Sequence, residues 1–149
     1  MLLGLLLPIA ACGDEEKDDH VRDDPSSASI DATEEPRQVA TWSEAQARDQ
    51  AEWLQAQTEP RLLEGARAQQ FVEGIPPALK DEATELTSLD LDDTALLVAG
   101  FGECGNTGVA AVDGDTVTYT VRKLDDRQCA WAPTRVQVFA VATGLTLGE

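Results

Sequence analysis

Ala95-Leu-Leu-Val-Ala-Gly-Phe101 is the stretch whose reading decides the fold. It is an apolar run of strand length, bounded by acidic residues before it and Gly102-Glu103-Cys104 after it. Such a run fits a strand buried on both faces. The residues after it keep the strand period. Thr107–Val112 is a second short strand, and Asp113-Gly114-Asp115 is a tight hairpin turn. Thr116–Lys123 alternates, with Val117, Tyr119 and Val121 on one face and threonines on the other. Asp125-Asp126-Arg127 is a further turn. Arg135–Ala142 is a fourth strand, with Val136, Val138 and Ala140 on one face and Phe139 and Val141 on the other. Four strands with short connections predict a small antiparallel sheet, to which Leu89 and Leu91 are candidates for an added edge strand.

Upstream, the reading turns helical. Thr41 and Glu44 have the spacing of a capping box, which places a helix start near Trp42. Glu44, Arg48 and Glu52 then follow at four-residue steps, the spacing of an ion-pair ladder. Trp42, Ala45, Trp53 and Ala56 share one side at helical period. Trp42 and Trp53 suit either a ligand platform or packing against the sheet, and packing is favoured. Pro60 suits the first turn of a second helix and Gly74 its end. Pro76 and Pro77 break the chain before a short third helix from Ala78 to about Ala83. The expected fold class is therefore α+β: N-terminal helices packed on an antiparallel sheet of about four strands. The expected domain covers residues 41–149, with a helical part at 41–84 and a β part at 86–149.

The N-terminus carries a different signal. Residues 1–11, MLLGLLLPIAA, are apolar but too short to span a bilayer, which takes ~20 residues. They suit a signal peptide. Ile9-Ala10-Ala11-Cys12 reads as a lipobox: an aliphatic residue, two small residues, then the cysteine that is acylated and becomes the new N-terminus. Two or three acyl chains on Cys12 make stable anchoring, at ~0.8 kcal/mol per buried methylene. No Lys or Arg precedes the apolar run, which departs from the usual signal peptide. Residues 12–40 are acidic and poor in large apolar side chains, the composition of a disordered, self-repelling tether.

Of three cysteines, Cys12 is assigned to lipid, which leaves Cys104 and Cys129. Outside the cytoplasm this pair is expected to form a disulfide, contributing roughly 3–4 kcal/mol in the chain-entropy account. Trp131, two residues beyond, is placed to pack on the bridge. The absence of CxxC spacing and of a nearby histidine weighs against a metal site.

With Cys104, Cys129-Ala-Trp-Ala-Pro133 and Val136-Gln-Val138-Phe139, the chain resembles a group of small, uncharacterised lipoproteins of high-GC Gram-positive bacteria. Their shared pattern is lipobox, acidic tether, Trp-bearing helix and a C-terminal disulfide-linked β domain. Gly102-Glu103-Cys104-Gly105 also resembles a small β domain of secreted, protease-associated bacterial proteins. Neither resemblance implies a catalytic residue or a cofactor.

Composition narrows the function. A formal net charge of -17 disfavours nucleic acid as a partner, because phosphate binding needs a concentrated basic surface. The one histidine, His20, lies in the acidic segment, which argues against a Ser-His or Cys-His nucleophile. Gly100, Gly102, Gly105 and Gly108 do not form a phosphate-binding loop. Asp90, Asp92, Asp93 and Glu103 are the residues a carboxylate-dependent hydrolase would use, but in so acidic a chain a helix-to-strand turn is the favoured reading. The expectation is a non-enzymatic binding domain, lipid-anchored on the extracytoplasmic face of a bacterial membrane, with an envelope protein or small ligand as partner. The alternatives are a carboxylate-dependent hydrolase and a modulator of an envelope protease.

Overall fold

The computed structural model describes residues 34–149. The expected signal peptide, Cys12, His20 and most of the expected tether lie outside the described residues. In chain order the strands are β1 Arg37–Ser43, β2 Arg61–Leu63, β3 Thr94–Gly102, β4 Asn106–Asp113, β5 Thr116–Lys123, β6 Thr134–Ala142 and β7 Thr146–Leu147. The helices are short: α1 Ala51–Gln55, α2 Ala66–Glu73, α3 Pro77–Lys80 and α4 Thr84–Thr87. Among the described residues, seven strands form two sheets, ordered β1-β6-β3-β2 and β4-β5-β7.

The expected α+β architecture, helices packed on one four-stranded sheet, is thus corrected: the protein is mostly β. Two of the strands come from the stretch read as helical or as tether. Strand β1 begins at Arg37, inside the assigned tether, and ends at Ser43, past the assigned helix start. Its long antiparallel pairing with β6 outweighs the local capping signal. Thr41 and Glu44, the supposed capping box, turn to the other side of the molecule's economy of hydrogen bonds: Thr41 Oγ1 accepts from Arg135 at 3.4 Å, and Glu44 takes the Thr134 N–H. The ladder of Glu44, Arg48 and Glu52 does not form, because the chain is α-helical only from Ala51 to Gln55. The second helix is likewise shortened, since Arg61–Leu63 pairs with β3. Leu89 and Leu91 pack on the core instead of forming an edge strand.

Strands β3 and β6 lie at the centre of the first sheet and pair over nine residues in unbroken register. Both of their faces are covered, which is why Ala95–Phe101 reads as a continuous apolar run. On one face Leu96, Val98, Val136, Val138 and Ala140 meet Trp42 and the helical side chains Leu54, Ala68, Leu79 and Leu86. On the other face Ala95, Leu97, Phe139 and Val141 meet Val117, with Ala110, Val112 and Tyr119 at the margin. The irregularity between Gln38 and Ala40 in β1 lets Val39 and Ala40 both be buried.

The Trp pair is structural. Trp42 is 1% exposed, and its indole N–H donates to the Leu79 carbonyl at 2.9 Å. Trp53 meets it edge-on, with ring centroids 5.6 Å apart, and stacks on Phe71 at 6.0 Å. The β4–β5 hairpin turns at Gly114, whose φ of 60° suits a residue without Cβ.

Candidate interaction surface at the disulfide-linked end

Every residue from Thr120 to Ala132 is exposed. This stretch runs from the end of β5 through an irregular connection to β6. It has almost no core of its own, so its shape depends on attachments. Cys104 and Cys129 form the expected disulfide, with Cα atoms 5.8 Å apart. The Gly105 carbonyl accepts the Leu124 N–H at 2.7 Å, and Asp125 Oδ1 accepts the Arg127 N–H at 3.0 Å. Gly105 has a φ of 64°, and a Cβ there would run into Asp125. The close approach of the two chain segments therefore needs glycine.

Two carboxylates hold the base of this connection. Glu44 Oε2 accepts the Thr134 N–H at 2.9 Å, and its Oε1 accepts from Gln55 Nε2 at 3.2 Å. The Thr134 amide favours the charged carboxylate and holds Glu44 below its ordinary pKa, with help from Gln55 and the nearby Arg48. Glu103 accepts the Ser43 hydroxyl at 2.6 Å on one oxygen and pairs with the Arg135 guanidinium on the other. The Glu103 N–H donates to the Pro133 carbonyl at 2.9 Å. Residues from β1, the β3 end and the β6 start thus meet at one corner.

Above that corner the connection displays apolar side chains. Val121, Leu124 and Trp131 are 50%, 69% and 49% exposed. The Arg48 guanidinium lies over the Trp131 ring, 5.3 Å from its centroid. Arg48 also lines a groove of about 410 Å3 with neighbours from Ala45 to Gln50 and with Ala78, Leu79 and Glu82. Arg122, Lys123 and Arg127 add positive charge to the connection. Lys123 is paired with Asp126, and Arg127 with Asp125.

The carboxylates named from sequence fall into two places. Asp90 Oδ1 accepts the Asp92 N–H at 3.0 Å, a local turn ahead of β3. Glu103 belongs to the corner. Each oxygen of Glu103 and Glu44 is already engaged, an arrangement that suits scaffolding better than proton transfer. No group of three metal-ligating side chains occurs among the described residues. Sequence reading missed Glu44 and Arg135 as site-building residues. Their partners lie 90 and 32 residues away, and no local pattern reports such pairs. Comparisons of the chain with protein-family models, curated proteins and solved structures found no match.

Proposed function

We propose that the protein is a binding module displayed outside the cytoplasm on a lipid anchor at Cys12, and that it engages a protein partner through the connection carrying Trp131. The observation that carries this reading is a half-exposed tryptophan on a segment pinned by a disulfide and two saturated carboxylates. Exposed aromatics held in a fixed place are efficient binding anchors, because little conformational freedom is lost when they dock. Arg48 over the ring adds a second residue type enriched at binding hot spots. The lipobox-like Ile9–Cys12 and the acidic spacer support display at a membrane surface. The Cys104–Cys129 pairing is in keeping with an oxidising compartment.

Two measurements test the reading. Mass spectrometry of the protein from its native membrane should yield an N-terminal peptide beginning at acylated Cys12; an unprocessed Met1 rules out the anchor. A photo-crosslinking amino acid at position 131 should capture an envelope protein in cells, whereas the same group at exposed Glu73 should not. Equal capture from both positions, or none from 131, removes the binding surface.

A further inference from the structure

The sheet edges are not equally protected. Among the described residues the four edge strands are β1, β2, β4 and β7. Strands β2 and β7 have three and two residues, too short to template another chain. Strand β1 begins with Arg37 and is interrupted between Gln38 and Ala40. Charges, bulges and brevity are the usual means of blunting an edge. Strand β4 is neither short nor bulged, and its one charged residue is Asp113 at its end. Its eight residues, Asn-Thr-Gly-Val-Ala-Ala-Val-Asp, contain no proline and no basic residue, and their pairing with β5 is unbroken.

The direction of its free backbone groups follows from one hydrogen bond. Leu124 N–H donates to the Gly105 carbonyl at 2.7 Å, which makes Gly105 and Leu124 a hydrogen-bonded pair in line with the β4–β5 register. Such pairs alternate along an antiparallel ladder. Thr107, Val109, Ala111 and Asp113 therefore bond to β5, and Ala110 and Val112 aim their peptide groups away from it. Beside that half of β4, a groove of about 450 Å3 opens between Ala110–Gly114 and the segment Glu34–Pro36. Pro36, Ala110 and Val112 are partly buried, while Glu35 and Asp113 stand exposed at the rim. Ala110–Asp113 gives a pairing length of about 10 Å at strand rise.

We infer that the Ala110–Asp113 edge of β4 accepts an extended segment of a partner protein by strand addition, with a basic side chain of that segment set against Glu35 and Asp113. Main-chain hydrogen bonds supply the affinity and the acidic rim supplies the choice. The rim decides between occupants. A second copy would bring another chain of net charge -17 to an acidic groove, whereas a basic segment complements it. This surface is at the Asp113 end of β4, away from the Trp131 connection beyond the Lys123 end of β5, so it stands or falls apart from the binding surface proposed above.

The test uses two synthetic peptides, acetyl-Thr-Val-Thr-Val-Lys-amide and the same peptide with Glu in place of Lys, added to the intact protein. Amide hydrogen exchange is read residue by residue. The Lys peptide should slow exchange at Ala110 and Val112 by about tenfold or more and leave β1 unchanged; the Glu peptide should not. The double substitution Glu35→Lys with Asp113→Lys alters only exposed side chains and should reverse the preference. The inference is overturned if neither peptide protects Ala110 and Val112, or if the charge reversal leaves the preference unchanged. Protection that rises with protein concentration alone also overturns it, in favour of pairing between two copies.

Discussion

Glu44 and Thr134, 90 residues apart, are joined twice: the Glu44 N–H donates to the Thr134 carbonyl at 2.8 Å, and the Thr134 N–H donates to Glu44 Oε2 at 2.9 Å. The first bond is part of the pairing of two chain segments. The second makes a side chain serve as a cap for the start of β6. Glu44→Ala is expected to lower the urea midpoint, because the Thr134 amide loses its acceptor. Glu44→Gln keeps an acceptor oxygen but no charge, and is expected to lose less. The two are separated by pH. Glu44 has a lowered pKa in the fold, so its charge contributes fully above the ordinary value of 4.5 and is lost as pH falls through the lowered folded value. The stability gap between wild type and Glu44→Gln should close over that acidic range. A gap independent of pH would contradict the role given to the charge.

The tryptophans divide by location. Trp42 is 1% exposed and packs against Trp53, while Trp131 is 49% exposed with Arg48 over its ring. Trp42→Ala is expected to cost about 3–5 kcal/mol by leaving a cavity. Trp131→Ala should cost much less, about 1 kcal/mol, the scale of an exposed cation–π contact. Denaturant unfolding of both variants checks this contrast. A large loss from Trp131→Ala would make that ring a structural element and weaken the case for a binding surface.

The disulfide closes a separation of 25 residues. In the chain-entropy account, opening that loop costs roughly 3.5 kcal/mol. Replacing both cysteines by serine should therefore lower stability by about that amount. The loss should be uneven. Amide exchange should rise most between Leu124 and Pro133, where the backbone is exposed, and least in β3 and β6, which are buried on both faces. Uniform acceleration through the central strands would show that the bridge holds the whole fold.

Much of the β half was legible because its signals are local. Ala95–Phe101 is apolar throughout because both faces are covered, and Thr116–Tyr119 alternates because Val117 and Tyr119 face the second core cluster, whereas Val121, which continues the pattern, is 50% exposed. Asp113-Gly114 marks a real turn, where Gly114 adopts the positive φ that such a turn needs. The N-terminal half was misread because its strands are set by distant partners. Val39, Thr41 and Trp42 have good strand propensity, yet Thr41 and Glu44 also satisfy a helix-capping pattern. Only β6, nearly one hundred residues on, decides between them, as in Arg37 pairing with Ala140. The cysteine pair was legible from its even count once Cys12 was set aside, but the corner of Glu44, Glu103 and Arg135 was not, because every bond there joins separate elements.

Tyr119 provides the most direct test of how the two sheets meet. Its hydroxyl donates to Gln137 Oε1 at 2.9 Å, and Gln137 Nε2 donates to Gln38 Oε1 at 2.7 Å, a chain linking β5, β6 and β1. Burial pushes the phenol up to about 12. Because Tyr119 is the protein's one tyrosine, ultraviolet titration of phenolate reports it alone. The folded protein should titrate near 12, and the guanidinium-unfolded chain near the ordinary value of about 10. A raised folded pKa means that the contribution of the neutral phenol is present below pH ~10 and is lost as pH rises towards the folded value. Tyr119→Phe should remove that alkaline loss. Gly108 extends the test, because a Cβ there would overlap the Tyr119 hydroxyl and Gln137 Oε1. Gly108→Ala is expected to cost about 1–3 kcal/mol from overpacking. Combined with Tyr119→Phe it should cost less than the sum of the two, since the phenylalanine lacks the oxygen that the new methyl meets. Additive losses, or a phenol titrating near 10 in the folded state, would place Tyr119 outside the interface between the sheets.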